Sequence, residues 1–150
     1  MTRAVLLDAG PLGLVTNPKR SPQSTACAQW LQSLVADGVR VFVPEIADYE
    51  VRRELIRAGK SRGLSRLDAL ANSLGYLPIT TTAMRHAAEL WARVRQQGRP
   101  TADDSALDAD VILAAQALSL AEPDCIVATT NVGHLTRMVN AARWTEIAAE

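Results

Sequence analysis

Short apolar runs alternate along this chain with longer segments in which apolar residues recur every three or four positions. Ala4 to Leu7 is an unbroken apolar run ended by Asp8, and Ala9, Gly10 and Pro11 break the pattern behind it. Such a run predicts a strand buried on both faces and closed by a turn. A polar turn region, "NPKRSPQS", precedes "TACAQWLQSLVADG", where Ala26, Trp30, Leu34 and Val35 fall at helical spacing and Asp37-Gly38 ends the segment. "RVFVP" predicts a second strand stopped by Pro44. "EIADYEVRRELIRAG" predicts a helix with Ile46, Tyr49, Leu55 and Ile56 on its apolar side. "SRLDALANSLG" predicts another helix, "YLPIT" a third strand, and "TTAMRHAAELWARVRQQG" a long helix that Gly98-Arg99-Pro100 stops. "TADDSALDADVILAAQALSLA" starts acidic and becomes an alanine-rich, deeply packed helix; "DCIVATT" predicts the fourth strand. "NVGHLTRM" reads as a helix capped by Asn131, and a last short strand is expected in "RWTEI". Strands and helices in alternation imply a mainly parallel sheet covered on both faces, a three-layer α/β/α arrangement. With no repeat, low-complexity stretch or shift in composition, residues 1–150 are expected to form a single domain.

Composition narrows the class. Hydrophobic residues make up 48% and the formal net charge is +0, which excludes a disordered tail or a generally basic nucleic-acid coat but not a local basic patch. Cys27 and Cys125 lack metal-ligand spacing and read as reduced core thiols. No apolar run approaches the roughly 18 residues of a membrane span. The first residues do not read as a signal peptide, so a soluble, cytoplasmic protein is expected.

The carboxylates then change the picture. Asp8 is placed at the end of the first strand, Glu50 early in the helix after the second, and Asp108 and Asp110 at the start of the "DADVILAAQA" helix. Asn131 follows the fourth strand directly. In a parallel sheet these points gather at one edge, where α/β proteins hold ligands. Carboxylates brought together repel one another and stay protonated unless a cation neutralises them. Oxygen donors without a His or Cys set suit Mg²⁺ or Mn²⁺, ions commonly used to attack phosphodiesters.

Four of these stretches, in order, carry a resemblance. "AVLLDAGPL", "VPEIADYEVRREL", "LDADVILAAQAL" and "IVATTN" resemble the motifs of the PIN domain, the fold of many small ribonucleases, including the toxin half of VapC-type toxin–antitoxin pairs. The likeness spans nearly the whole chain. It implies a PIN-like fold and a metal-dependent endoribonuclease in which Asp8, Glu50 and Asp110 are catalytic. One or two Mg²⁺ (or Mn²⁺) ions would be held by Asp8, Glu50, Asp108, Asp110 and Asn131, and a bound water would attack phosphorus to leave 5′-phosphate and 3′-hydroxyl ends. The implied partners are an RNA substrate, a cognate antitoxin and a second copy in a homodimer, with "CAQWLQSLV" and "LDALANSLGYL" as dimer faces or core. Two departures stand out: Asn131 is a neutral ligand where the family often has Asp, and His134 replaces a downstream acid.

Each residue also has a structural reading. Asp8 would stabilise a turn, Asp108 and Asp110 would complement a helix N-terminus, and Glu50 would pair along its own helix with Arg53. Glu45 rivals Glu50, while Asp103 and Asp104 read as loop charges. Thr130 is a minor candidate for orienting water. His86 and His134 belong to no dyad, and Trp30, Trp91 and Trp144 read as core or interface bulk. Arg52, Arg53, Arg57, Lys60, Arg62 and Arg66 form either a phosphate-binding patch or a solvated face. The alternative function is a PIN-fold module that binds RNA or protein without cutting. An Asp-nucleophile phosphotransferase is disfavoured because Gly10 stands where its second Asp belongs.

Overall fold

The structure is a computed structural model and describes residues 4–97, 104–120, 124–133 and 135–148. Five strands form one sheet: β1 (Ala4–Leu7), β2 (Arg40–Pro44), β3 (Gly75–Leu77), β4 (Cys125–Thr129) and β5 (Ala141–Arg143). Their order is β3-β2-β1-β4-β5, and every pairing is parallel. From β1 the chain builds outward through β2 and β3, then returns to lay β4 and β5 on the other side of β1. The order therefore reverses between β1 and β4, whose following segments pack on opposite faces of the sheet, the arrangement that marks the ligand-binding end of an α/β sheet.

Side-chain alternation divides the sheet between two apolar layers. Val5 and Leu7 of β1, Val41 and Val43 of β2, and Ile126 and Ala128 of β4 face the layer of α1 (Ala9–Thr16), α2 (Pro22–Ala36) and α4 (Ser61–Ser73). Leu6 and Val127 face the opposite layer, where α6 (Asp104–Ser119) supplies Leu113 and Ala117. The outer side of α6 carries α5 (Thr81–Gln96), joined through Ala83, Ala87, Leu90, Val111 and Ala115. Helix α3 (Glu45–Arg57) serves both layers, with Ile46 in one and Ala47, Val51 and Leu55 in the other. This is the three-layer α/β/α fold. No helix among the described residues is long and apolar enough to cross a membrane.

Several local expectations are corrected. The "AGPLGLVT" segment is a helix, not a turn. Asp8 caps it, Pro11 falls in the first turn where a missing N–H costs nothing, and Leu12 and Thr16 are buried. In α3, Tyr49 and Ile56 lie 56% and 60% exposed rather than on the buried side. The last strand ends at Arg143, because Trp144 turns inward in a 3-10 segment to meet Trp30 at 5.6 Å between ring centroids. Asn131 caps no α-helix: its Oδ1 accepts from the Gly133 N–H at 3.2 Å, and the helical segment beyond is a 3-10 turn, Leu135–Arg137. The apolar sides of α2 and α4 are core: Cys27, Leu31, Leu34 and Leu67 are buried beneath the sheet. The stop at Gly98-Arg99-Pro100, Asp103 and His134 lie outside the described residues.

Candidate active site

Asp8 stands at the reversal point between β1 and β4. The register that sets Leu7 opposite Ala128 continues one step further, with the Asp8 N–H donating to the Ala128 carbonyl at 2.9 Å. That step brings Thr129 beside the Asp8 carboxylate. The Thr129 hydroxyl donates to Asp8 Oδ2 at 2.8 Å, and the Ala9 N–H donates to Asp8 Oδ1 at 2.7 Å. Burial pushes the Asp8 carboxyl above its ordinary range, while the Thr129 and Ala9 hydrogen bonds pull it back towards ionisation. Asp8 is therefore both a helix cap and an acid held in a fixed orientation.

Gly10 lets α1 come this close. A Cβ on Gly10 would fall 2.5 Å from Thr130 Oγ1 and 2.6 Å from its Cγ2. Thr130 thus packs against α1, while Thr129, overlooked at sequence level, makes the contact with Asp8. Its signal was positional: the last residue of the strand beside β1 must face the residue that ends β1.

Glu50 reaches the same place from α3. Burial raises its pKa first; the negative charge of Asp8 adds to that, Arg53 opposes it, and Asp110 raises it again. Asp8 and Asp110 are thus both within electrostatic reach of Glu50. A second unnoticed residue sets this approach. Gln116, fully buried on α6, accepts from the Ile46 N–H at 3.2 Å and donates to the Leu77 carbonyl at 2.7 Å. It ties α6 to the start of α3 and the end of β3, fixing the helices that carry Asp110 and Glu50. A lone amide within "VILAAQALSL" was the available clue.

The remaining candidates separate. Helix α6 begins at Asp104, so Asp108 and Asp110 lie beyond its first turn and neither complements the helix N-terminus. Two residues of helix turn a side chain by roughly 200°. Asp108 accordingly is exposed and lines a groove with Met84 and Trp91 between α5 and α6. The Asn131 side chain is exposed and committed to its turn. Glu45 is no rival to Glu50, since its Oε1 accepts from the Ile79 N–H at 2.7 Å and anchors the loop after β3. His86 is half-buried in α5, remote from this chemistry in the chain order and layer.

The arginines divide similarly. Arg52 is spent on Asp48 at 3.0 Å and Asp68 at 2.8 Å, and Tyr76 also donates to Asp48 at 2.7 Å. Arg66 donates to the Asn17 carbonyl at 2.8 Å. Arg57 pairs with Glu54 at 2.8 Å, and with Arg53 and Lys60 it lines a cleft of about 510 Å³ between α1 and α3, with Glu50 and Glu54 on its wall.

Among the described residues, no three Asp, Glu, His or Cys side chains are close enough to cage a metal ion as they stand. Glu50 lies within electrostatic reach of Asp8 and of Asp110, and these are the residues that could hold an ion partly through waters. An all-oxygen set of this openness fits Mg²⁺ or Mn²⁺, which keep several waters and take only one or two carboxylates directly.

Residues 5–133 match the PIN domain family, and the chain belongs to it. Its fold is similar to VapBC2 from Rickettsia felis, solved bound to a DNA fragment from their promoter, with a TM-score of 0.68 and 15% identity over 94% of this chain and 98% of that one. VapBC-1 from nontypeable Haemophilus influenzae gives 0.68 and 17% over 95% and 99%. VapBC-5 from Mycobacterium tuberculosis, a member of the VapBC family of toxin–antitoxin systems, gives 0.56 and 19% over 93% and 98%. No curated protein matches the sequence significantly.

Proposed function

We propose that this protein is a divalent-metal-dependent endoribonuclease and the toxin of a type II toxin–antitoxin pair. The observation that carries the reading is that Glu50, raised first by burial, also lies within electrostatic reach of Asp8 and Asp110, which raise it further. Like charges so placed are tolerable when a cation answers them. Asp8, Glu50 and Asp110 would hold Mg²⁺ or Mn²⁺, partly through waters. The ion would supply Lewis-acid activation of water and counter-charge on the phosphate.

The chain's own residues do the rest. Thr129 and the Ala9 N–H keep Asp8 oriented and favour its ionised form. The ionised form of Glu50, opposed by burial and then by Asp8 and Asp110, would be favoured by an arriving cation. Arg53, Arg57 and Lys60 line a cleft suited to phosphates, which supply most non-specific nucleic-acid affinity. No side-chain nucleophile is required. Membership of the PIN family and a fold like those of the VapBC proteins support the toxin assignment. An RNA substrate, a cognate antitoxin, a homodimer, a cytoplasmic setting and a single domain over residues 1–150 belong to the same proposal.

The test compares Mn²⁺-dependent RNA cleavage by the native protein, Asp8→Asn and Asp110→Asn, each with its thermal melt. Cutting should fall by roughly 100-fold or more in both variants, with folding intact. Equal cutting by all three proteins removes the nuclease reading. If the native protein binds RNA yet never cuts it, the non-catalytic alternative stands instead.

A further inference from the structure

Tyr49 immediately precedes Glu50, and its large ring lies 56% exposed where sequence periodicity expected burial. It is not left bare. The Arg53 guanidinium, one helical turn on, sits 5.0 Å from the ring centroid. Arg53 also lines the cleft that Glu50 borders and counters the Glu50 charge. Arg53 therefore sits over the aromatic ring, lines the cleft and lies within electrostatic reach of the acid. A guanidinium over one face of a ring holds the aromatic in place and leaves its other face to a planar ligand. Tyr49 and Glu50 are adjacent residues of one helix, so their side chains leave its axis roughly 100° apart.

We propose that Tyr49, backed by Arg53, is a stacking shelf for one nucleobase of single-stranded RNA, and so delivers the neighbouring phosphate to the acids around Glu50. The assignment rests on RNA being the substrate. Stacking demands an unpaired base, because in a duplex the faces are already covered; the shelf thus selects single strands over helices. Arg53, Arg57 and Lys60 then carry the strand's phosphates along the cleft.

The test is binding of a fluorescein-labelled, 12-nucleotide single-stranded RNA, followed by anisotropy in EDTA so that nothing is cut. Tyr49→Ala should weaken binding by about tenfold or more, and Tyr49→Phe should bind within about twofold of the native protein, since the ring face is kept. The salt dependence should be unchanged in Tyr49→Ala, whereas Arg53→Gln should flatten the log–log slope by about 0.7. The same RNA annealed to its complement should bind native protein and Tyr49→Ala alike. Native-like binding by Tyr49→Ala, equal losses on single strand and duplex, or no measurable binding by the native protein would each overturn the shelf. Dissociation of an oligomer by Tyr49→Ala in sedimentation would also overturn it, by showing that the ring faces a protein. Mn²⁺-dependent cleavage is read separately. Cutting without dependence on Tyr49 refutes the shelf alone, and Tyr49-dependent binding without cutting refutes the nuclease alone.

Discussion

Replacing Thr129 by Val removes one hydroxyl from a buried strand end while keeping nearly the same shape. That hydroxyl has one hydrogen. Two acceptors lie near it, Asp8 Oδ2 at 2.8 Å and the Asn131 carbonyl at 3.1 Å, and the shorter, charged one takes the proton. The oxygen also accepts from the Asn131 N–H at 3.3 Å. A hydrogen bond to a charged group contributes about 1.5–3 kcal/mol, and a neutral one about 0.5–1.5 kcal/mol. Only the charged part depends on pH. Thr129 lowers the pKa of an Asp8 that burial raises, so its loss moves the folded-state value further above the ordinary 3.8. A raised carboxyl binds more protons folded than unfolded, and stability falls as pH climbs through the folded value. The deficit of Thr129→Val should therefore be smallest near pH 3.8, where Asp8 is largely protonated, and reach its full size at neutral pH. Taking about 2 kcal/mol for the charged part, the neutral-pH melting temperature should drop by roughly 4–8 °C more than the acidic one. Calorimetry of both proteins across that range measures the difference. A deficit independent of pH would show that Thr129 does not act through the Asp8 carboxylate.

Glu50 carries the opposite expectation. Its ionised form is opposed by burial and by Asp8 and Asp110, so Glu50→Gln should raise the melting temperature of metal-free protein above neutral pH while cleavage is lost. The gain should shrink as pH falls below 4.5, since the raised native carboxyl is mostly protonated there in the fold. Saturating Mn²⁺ at about 100 times its Kd should stabilise the native protein by about 2.7 kcal/mol; a melt unchanged by Mn²⁺ refutes the metal site. Gly10→Ala should cost about 1–3 kcal/mol, because its Cβ would meet Thr130, and Gly10→Ala with Thr130→Ala should recover most of that by denaturant titration.

The parallel sheet, its layers and three strands were legible because each rests on local periodicity: "AVLL", "VFVP" and "CIVA" are apolar without interruption, as strands covered on both faces must be, whereas the strands expected in "YLPIT" and "RWTEI" end early, at Leu77 and Arg143. Helix α1 was not legible. Two glycines and a proline in eight residues argue against a helix, and a tertiary contact decides otherwise: the cap from Asp8 and the close approach to Thr130. Asp108 stood beside Asp110 as a possible ligand only if the helix started next to both. Once it begins at Asp104, their separation around the axis sends Asp108 to the α5 groove. Thr129 and Gln116 could not be read as site supports, since their partners lie 121 and 70 residues away in sequence.

The position of Asp8 explains why one residue can do two kinds of work without conflict. Its two oxygens are divided, Oδ1 to the helix it caps and Oδ2 to Thr129 on the neighbouring strand. Both bonds come from donors, so both favour negative charge and fix the plane of the carboxylate, yet each oxygen retains a lone pair. Capping therefore prepares the acid rather than consuming it. The burial that makes Asp8 costly to ionise also makes its charge felt at Glu50 through little intervening water. A surface aspartate would cap α1 as well and cost less, but its charge would be screened before reaching α3. Stability alone would favour the exposed arrangement; the partly buried one is what the proposed cation site would call for.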